Sequence, residues 1–231
     1  MKKIFIILVV FLATMSTVAI SAEIDGVPVI DQDIFEVTLN TDDICGPTAA
    51  SEVLGFWGLS DEPLSGAIPD DGRAMENMLS EMMLRTGHVV NVGVYPDDLI
   101  EGMHSFAHNR DYELDITHHR KYQARWSHIT SEIDAGRPVI LLSWRLYHYV
   151  VVIGYNESGP VNTLKILYGH IPYERDYTVA QLGYDAELIL VRVVRDPDPD
   201  PDPDPDPSGE YWYQDVMNWC EQNGYELEPI D

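Results

Sequence analysis

Two apolar runs in "RPVILLSWRLYHYVVVIGYN", residues 137–156, restrict the fold more than any other stretch of the chain. Val139–Ser143 reads as a buried strand, too short for a helix and bounded by Gly136-Arg137-Pro138. A second strand, Tyr149–Tyr155, follows, with His148 at its mouth. The pattern gives a helix over Pro47–Trp57, helical segments between Arg73 and Phe106, and a helix over Trp126–Ala135. A short strand is expected near Glu113–Thr117, and further strands at Leu164–Tyr168 and Glu187–Val194. Helices first and an antiparallel sheet after them is an α+β arrangement. Asp70-Asp71-Gly72, Tyr95-Pro96 and Asn156-Glu157-Ser158-Gly159 read as loops.

The ends of the chain have a different character. Residues 1–22 begin with Lys2 and Lys3, continue through apolar Ile4–Leu12 and leave through Ala19-Ile20-Ser21-Ala22, the build of a secretory signal peptide. Thr14, Ser16, Thr17 and Ser21 thin the second half, which favours cleavage over a retained membrane anchor. Residues 23–195 are then one domain with room for a sizeable core. Asp196–Pro207 is a run of Asp-Pro repeats, an extended spacer of roughly 37 Å at about 3.1 Å per residue. Residues 208–231 carry Trp212, Val216, Trp219 and Cys220 near one face of a short helix that Gly224 would stop. So short a segment cannot bury its own aromatics and is expected to dock on its own domain or on a partner protein. With 14 basic against 39 acidic residues and a net charge of −25, the surface repels nucleic acid and anionic lipid. These features imply an exported, extracytoplasmic protein, secreted or at the cell surface, with no stable membrane insertion once the signal is removed.

Cys45 is one of two cysteines. Residue types alone leave it as a small hydrophobe, half of a Cys45–Cys220 disulfide, a metal ligand or a nucleophile. Pro47 suits the first turn of a helix, so Cys45 sits at a helix N-terminus, where the backbone N–H groups and the dipole favour a thiolate. That setting serves an attacking sulfur and does nothing for a structural one. A nucleophile also needs a base brought close by the fold. Of eight histidines, His104 and His108 are a helical pair without an evident third metal ligand, and His118 and His119 read as surface residues. No metal or other cofactor is expected. His148, held at the mouth of an apolar strand, is the candidate base.

"VPVIDQDIF" and "ICGPTAASEVLGFW", followed by "IDAGRPVILLSW" and "HYVVVIGYN", resemble the papain-superfamily cysteine peptidases of the bacteriocin-leader-processing type and their stand-alone relatives. The resemblance covers Val27 to about Val191. It implies a papain-like fold, with an N-terminal helical part packed on an antiparallel sheet and a cleft between the Cys45 helix and the strand bearing His148. It implies Cys45 as nucleophile, His148 as general base and then acid, and Gln32 as an oxyanion donor beside the Cys45 backbone N–H. The family usually orients its histidine with Asp or Asn at the end of the next strand. Here Gly169 and His170 stand at that place, so the orienter is His170, Asp176, a water or nothing, with Asp176 the better chemical partner of the two side chains. The activity implied is hydrolysis of peptide bonds in a peptide or protein substrate through a thioester acyl-enzyme. Two other outcomes are a catalytically degenerate peptide- or surface-binding module, and an amidase or acyltransferase using the same Cys-His chemistry. Cleavage of double-glycine leaders is disfavoured, because enzymes of that kind are normally cytoplasmic and fused to exporters.

Overall fold

The computed structural model describes residues 21–39, 43–60, 73–170 and 174–194. The signal-like residues 1–20, the Asp-Pro spacer, the aromatic segment 208–231 and Cys220 lie outside them. The elements run β1 (Ser21–Glu23), α1 (Gln32–Thr38), α2 (Cys45–Phe56), α3 (Arg73–Arg85), α4 (Pro96–His108), β2 (Glu113–His119) and α5 (Trp126–Asp134). They continue with β3 (Val139–Ser143), β4 (His148–Asn156), β5 (Thr163–Leu167), β6 (Glu174–Thr178), α6 (Val179–Leu182) and β7 (Glu187–Val194). Mixed helices with an antiparallel sheet are the α+β class the sequence implies.

The sheet order is β2-β7-β3-β4-β5-β6, with antiparallel pairing throughout. β3 covers β4 only from His148 to Val152, and β1 takes the edge that remains, pairing with Gly154 to Asn156. That crossing is close. A Cβ on Gly154 would lie 2.8 Å from the Ala22 carbonyl oxygen, so no other residue fits without moving β1. β1 also straddles the expected signal boundary. Cleavage after Ala22 would leave Glu23, whose carboxylate pairs with Lys165 at 2.5 Å.

Every residue of β3 is buried, and so is β4 from His148 to Tyr155. Cover comes from both faces. Tyr149 meets Gly46 of α2 on one side, while Leu141, paired with Val150, shares a cavity with Ile129 of α5 on the other. Behind α2, α3 and α4 close together because α4 has a glycine at the crossing. A Cβ on Gly102 would fall 2.5 Å from Thr86 Cγ2 and 2.9 Å from its backbone nitrogen. The Gly136-Arg137-Pro138 break has a structural task as well. Arg137 and Arg192 reach the buried Glu132 carboxylate at 2.5 and 2.6 Å, locking the end of α5 to β7. Burial works against that charge, but the two guanidiniums prevail and hold Glu132 below its ordinary value.

Four elements were not expected from the sequence: β1, α1, β6 and α6. Each is short, and each is fixed by its neighbours rather than by periodicity. Gln32 begins α1. β6 is a polar edge strand, exposed over Glu174–Asp176, with no apolar alternation to betray it. The surface reading of His118 also needs correction. Its ring is only 11% exposed, because Nε2 bonds the Glu187 carboxylate at 2.7 Å.

Glu52 on α2 is buried and accepts the Ile30 backbone N–H at 3.0 Å, which ties the strap before α1 to the helix carrying Cys45. Burial drives its carboxyl from 4.5 up to about 8, so the folded protein binds a proton that the unfolded chain gives up. Stability from this group is full below pH 4.5 and falls as pH rises towards 8, by at most about 1.4 kcal/mol per pH unit. Glu52→Gln keeps an acceptor for Ile30 and removes the titration. Its Tm at pH 8 should exceed the parent's, and the gap should close near pH 4.5 in thermal melts. A gap that does not change with pH would refute the assignment.

Candidate active site

Among the described residues, Gln32, Glu36, Asp43, Cys45, Leu146, Tyr147, His148, Tyr168 and His170 line one cavity of about 250 Å³. The fold thus brings Cys45, His148, Gln32 and His170 together from four separate elements or their ends. Asp176 lies elsewhere. It is an exposed residue of β6, paired in register with Lys165.

Cys45 is the first residue of α2, half-buried, and free of a disulfide among the described residues. Ile44, at the cap position, is apolar and gives no side-chain cap, so it does not compete with the thiol for the helix's free N–H groups. The expected consequence, a thiol of lowered pKa, is not what this setting produces. Burial, aided by the Asp43 carboxylate, pushes the Cys45 thiol above 9.0 despite backbone N–H groups of Tyr149, Gly46 and Cys45 itself. Half a unit of helix dipole in the first turn does not offset the loss of water around sulfur.

His148 opens β4 with 5% of its surface exposed. Its Nε2 lies 2.6 Å from the Tyr168 carbonyl oxygen. A carbonyl only accepts, so Nε2 carries the proton and Nδ1 keeps its lone pair. The orienting group that the sequence left open is therefore the main chain at the end of β5. Burial brings His148 down to about 4, with the His170 ring adding to the effect and the Tyr168 carbonyl opposing it. Tyr168 packs against the imidazole at 4.6 Å, and His170 stacks on it at 4.9 Å and 19°.

His170 does not reach the edge of His148; it faces α1. Its Nδ1 lies 2.6 Å from Asp33 Oδ1 and its Nε2 3.4 Å from Gln32 Nε2. Gln32 is 2% exposed, its backbone N–H donating to the Gly169 carbonyl at 2.7 Å. Gly169 has φ +84°, and a Cβ there would lie 2.6 Å from Gln32 Oε1. Glycine is thus required where the family usually places its carboxylate or amide. Sequence reasoning missed this pairing, and "YGH" after an apolar strand was the available signal. It also missed Glu36, Asp43 and Tyr147. Asp43 and Tyr147 sit at φ +57° and +51° on either side of the cavity, and for a bulky tyrosine that backbone is strained.

Residues 24–186 match the family model described as the Peptidase_C39 like family. The chain belongs to that family. No curated protein matches the chain. Among solved structures, a fragment of Prevotella intermedia prointerpain A aligns with a TM-score of 0.52 and 15% identity, covering 74% of this chain and 71% of that one. UfSP from C. elegans aligns with a TM-score of 0.43 and 11% identity, over 77% of this chain and 35% of that one. The fold is that of the papain-like cysteine peptidases, as the sequence resemblance implies.

Burial pushes the thiol up and the imidazole down, and both shifts work against a charged pair at rest. Alkylation of Cys45 by iodoacetamide should therefore climb with pH through neutrality and past 9.0. A rate already level between about pH 5 and 8, the signature of a preformed thiolate–imidazolium pair, would contradict this.

Proposed function

We propose that this member of the family is an exported cysteine peptidase that hydrolyses peptide bonds through a thioester acyl-enzyme. The observation that carries the reading is the meeting of Cys45, His148 and Gln32 in one cavity, although they are far apart in the chain. Export rests on the signal-like residues 1–22.

His148 Nδ1 takes the proton from Cys45 Sγ as the sulfur attacks the scissile carbonyl carbon. With the thiol raised and the imidazole lowered by burial, proton transfer accompanies attack. The carbonyl oxygen gains negative charge and is held by the Cys45 backbone N–H and the Gln32 amide. Collapse of the tetrahedral adduct breaks the C–N bond, and His148 returns its proton to the departing amine. Water, deprotonated by the same nitrogen, then attacks the thioester carbonyl and releases the acid and the free thiol. The Tyr168 carbonyl holds the imidazolium upright in both steps and cannot itself accept the proton. It offers less charge stabilisation than a carboxylate would, which suits a modest catalyst.

The test uses the full chain and a mixture of peptides, with products read by mass spectrometry. Cys45→Ser and His148→Ala should each lower turnover by at least about 10³-fold, and the double variant should be little worse than either. Parent-level cleavage by Cys45→Ser would end the reading. Peptide binding without cleavage by the parent would favour a binding module, and formation of new amides would favour an acyltransferase.

A further inference from the structure

An oxyanion donor must present nitrogen, not oxygen, to the cavity, and an amide side chain can turn either way. In Gln32 the choice is set on the nitrogen side of the amide. Its Oε1 is buried and has no hydrogen-bond partner among the described residues, while Nε2 faces two acceptors. One is Glu36 Oε1 at 3.1 Å, one helical turn along α1. The other is His170 Nε2 at 3.4 Å. Asp33 accepts from His170 Nδ1, so in the neutral ring Nε2 is the nitrogen with the lone pair. Reversing the amide would bring its oxygen against both lone pairs.

We infer that Glu36 is a positioning residue for catalysis, which keys the Gln32 amide so that an N–H faces the Cys45 cavity. The inference rests on Gln32 being the oxyanion donor. Glu36 holds one amide hydrogen throughout the reaction. The second hydrogen, engaged only at long range by His170, stays on the amide nitrogen and redirects its hydrogen bond to the oxyanion as that forms. His170, backed by Asp33, thus serves Gln32 in the resting site and is not the orienter of His148. No bond is made or broken by Glu36, and it does not touch the substrate's reacting atoms.

The experiment compares two reactions of Cys45 in the full chain. Acylation by a p-nitrophenyl ester develops an oxyanion; alkylation by iodoacetamide does not. Glu36→Ala should slow acylation about 10-fold, mostly in kcat with KM little changed, and leave alkylation within about 2-fold of the parent. Adding Glu36→Ala to Gln32→Ala should cost nothing further, because the two act as one unit. Glu36→Gln, which keeps an acceptor oxygen at the same reach, should recover part of the loss. Equal losses in acylation and alkylation would mean that Glu36 only supports the fold, and full acylation by Glu36→Ala, or losses that add to those of Gln32→Ala, would also overturn the inference. Should the parent be alkylated but never acylated, the peptidase reading itself falls and this inference falls with it.

Discussion

A Cβ on Gly46 would lie 3.4 Å from two ring carbons of Tyr149 and 3.5 Å from Val94 Cβ. At that spacing a methyl group fills the gap and anything larger forces α2 away from β4. The geometry of the site depends on this contact. Tyr149 is pinned in turn, its hydroxyl donating to the Val94 carbonyl at 3.1 Å just before α4. Cys45 is the residue before Gly46, and His148 is the residue before Tyr149. Closing glycine on tyrosine therefore brings thiol and imidazole to one cavity without either making the contact that fixes it. The apolar strand supplies the rigidity, and the helix supplies the oriented N–H groups.

Rigidity has a chemical consequence. A site held by packing is a dry site, and dry surroundings penalise both members of a charged pair. The Cys45 thiol is driven up and the His148 ring down to about 4, by burial first in each case. A carboxylate at the far nitrogen of His148 would have opposed that; a carbonyl opposes it less. The orienting task and the charge-stabilising task, which one acidic side chain often combines, are here separated. Tyr168 performs the first with its main chain. The acidic groups at this site are instead deployed on α1 and beside the thiol, as Asp33, Glu36 and Asp43. Asp43 makes ionisation of the thiol harder still.

Much of the central architecture was legible in the sequence because burial writes it there. "VILLS" is buried at all its positions, and a run of that kind has few alternatives to a covered strand. β7 was legible for the same reason, and α2 and α5 through their terminal signals and apolar faces. Cys45, Gln32 and His148 stood out through the helix start, the strand mouth and the motif order that marks the family. What escaped was fixed by tertiary contact. α1 is seven residues long and is anchored through Gln32 to the Gly169 carbonyl, a partner far along the chain. A backbone carbonyl acting on His148 has no sequence signature, since every residue carries one. The search for a third side chain accordingly pointed to Asp176, a residue in register with Lys165 on an outer strand.

The direction of the thiol's ionisation shows why local rules misjudge sites of this kind. A helix N-terminus acts on a charge through a few oriented N–H groups in its first turn, and its effect is legible from four or five residues. Desolvation acts through everything around the group, here a cavity lined from α1, the 146–147 turn and the start of β4. That cover is assembled from across the chain. Glu52 obeys the same logic two turns along the same helix: its one backbone hydrogen bond, from Ile30, does not prevent burial from raising its carboxyl to about 8. In both cases the local hydrogen bonds favour the charged form and the packed surroundings prevail. The packing that assembles the cavity also raises the Cys45 thiol, against the pull of the N–H groups at its own helix start.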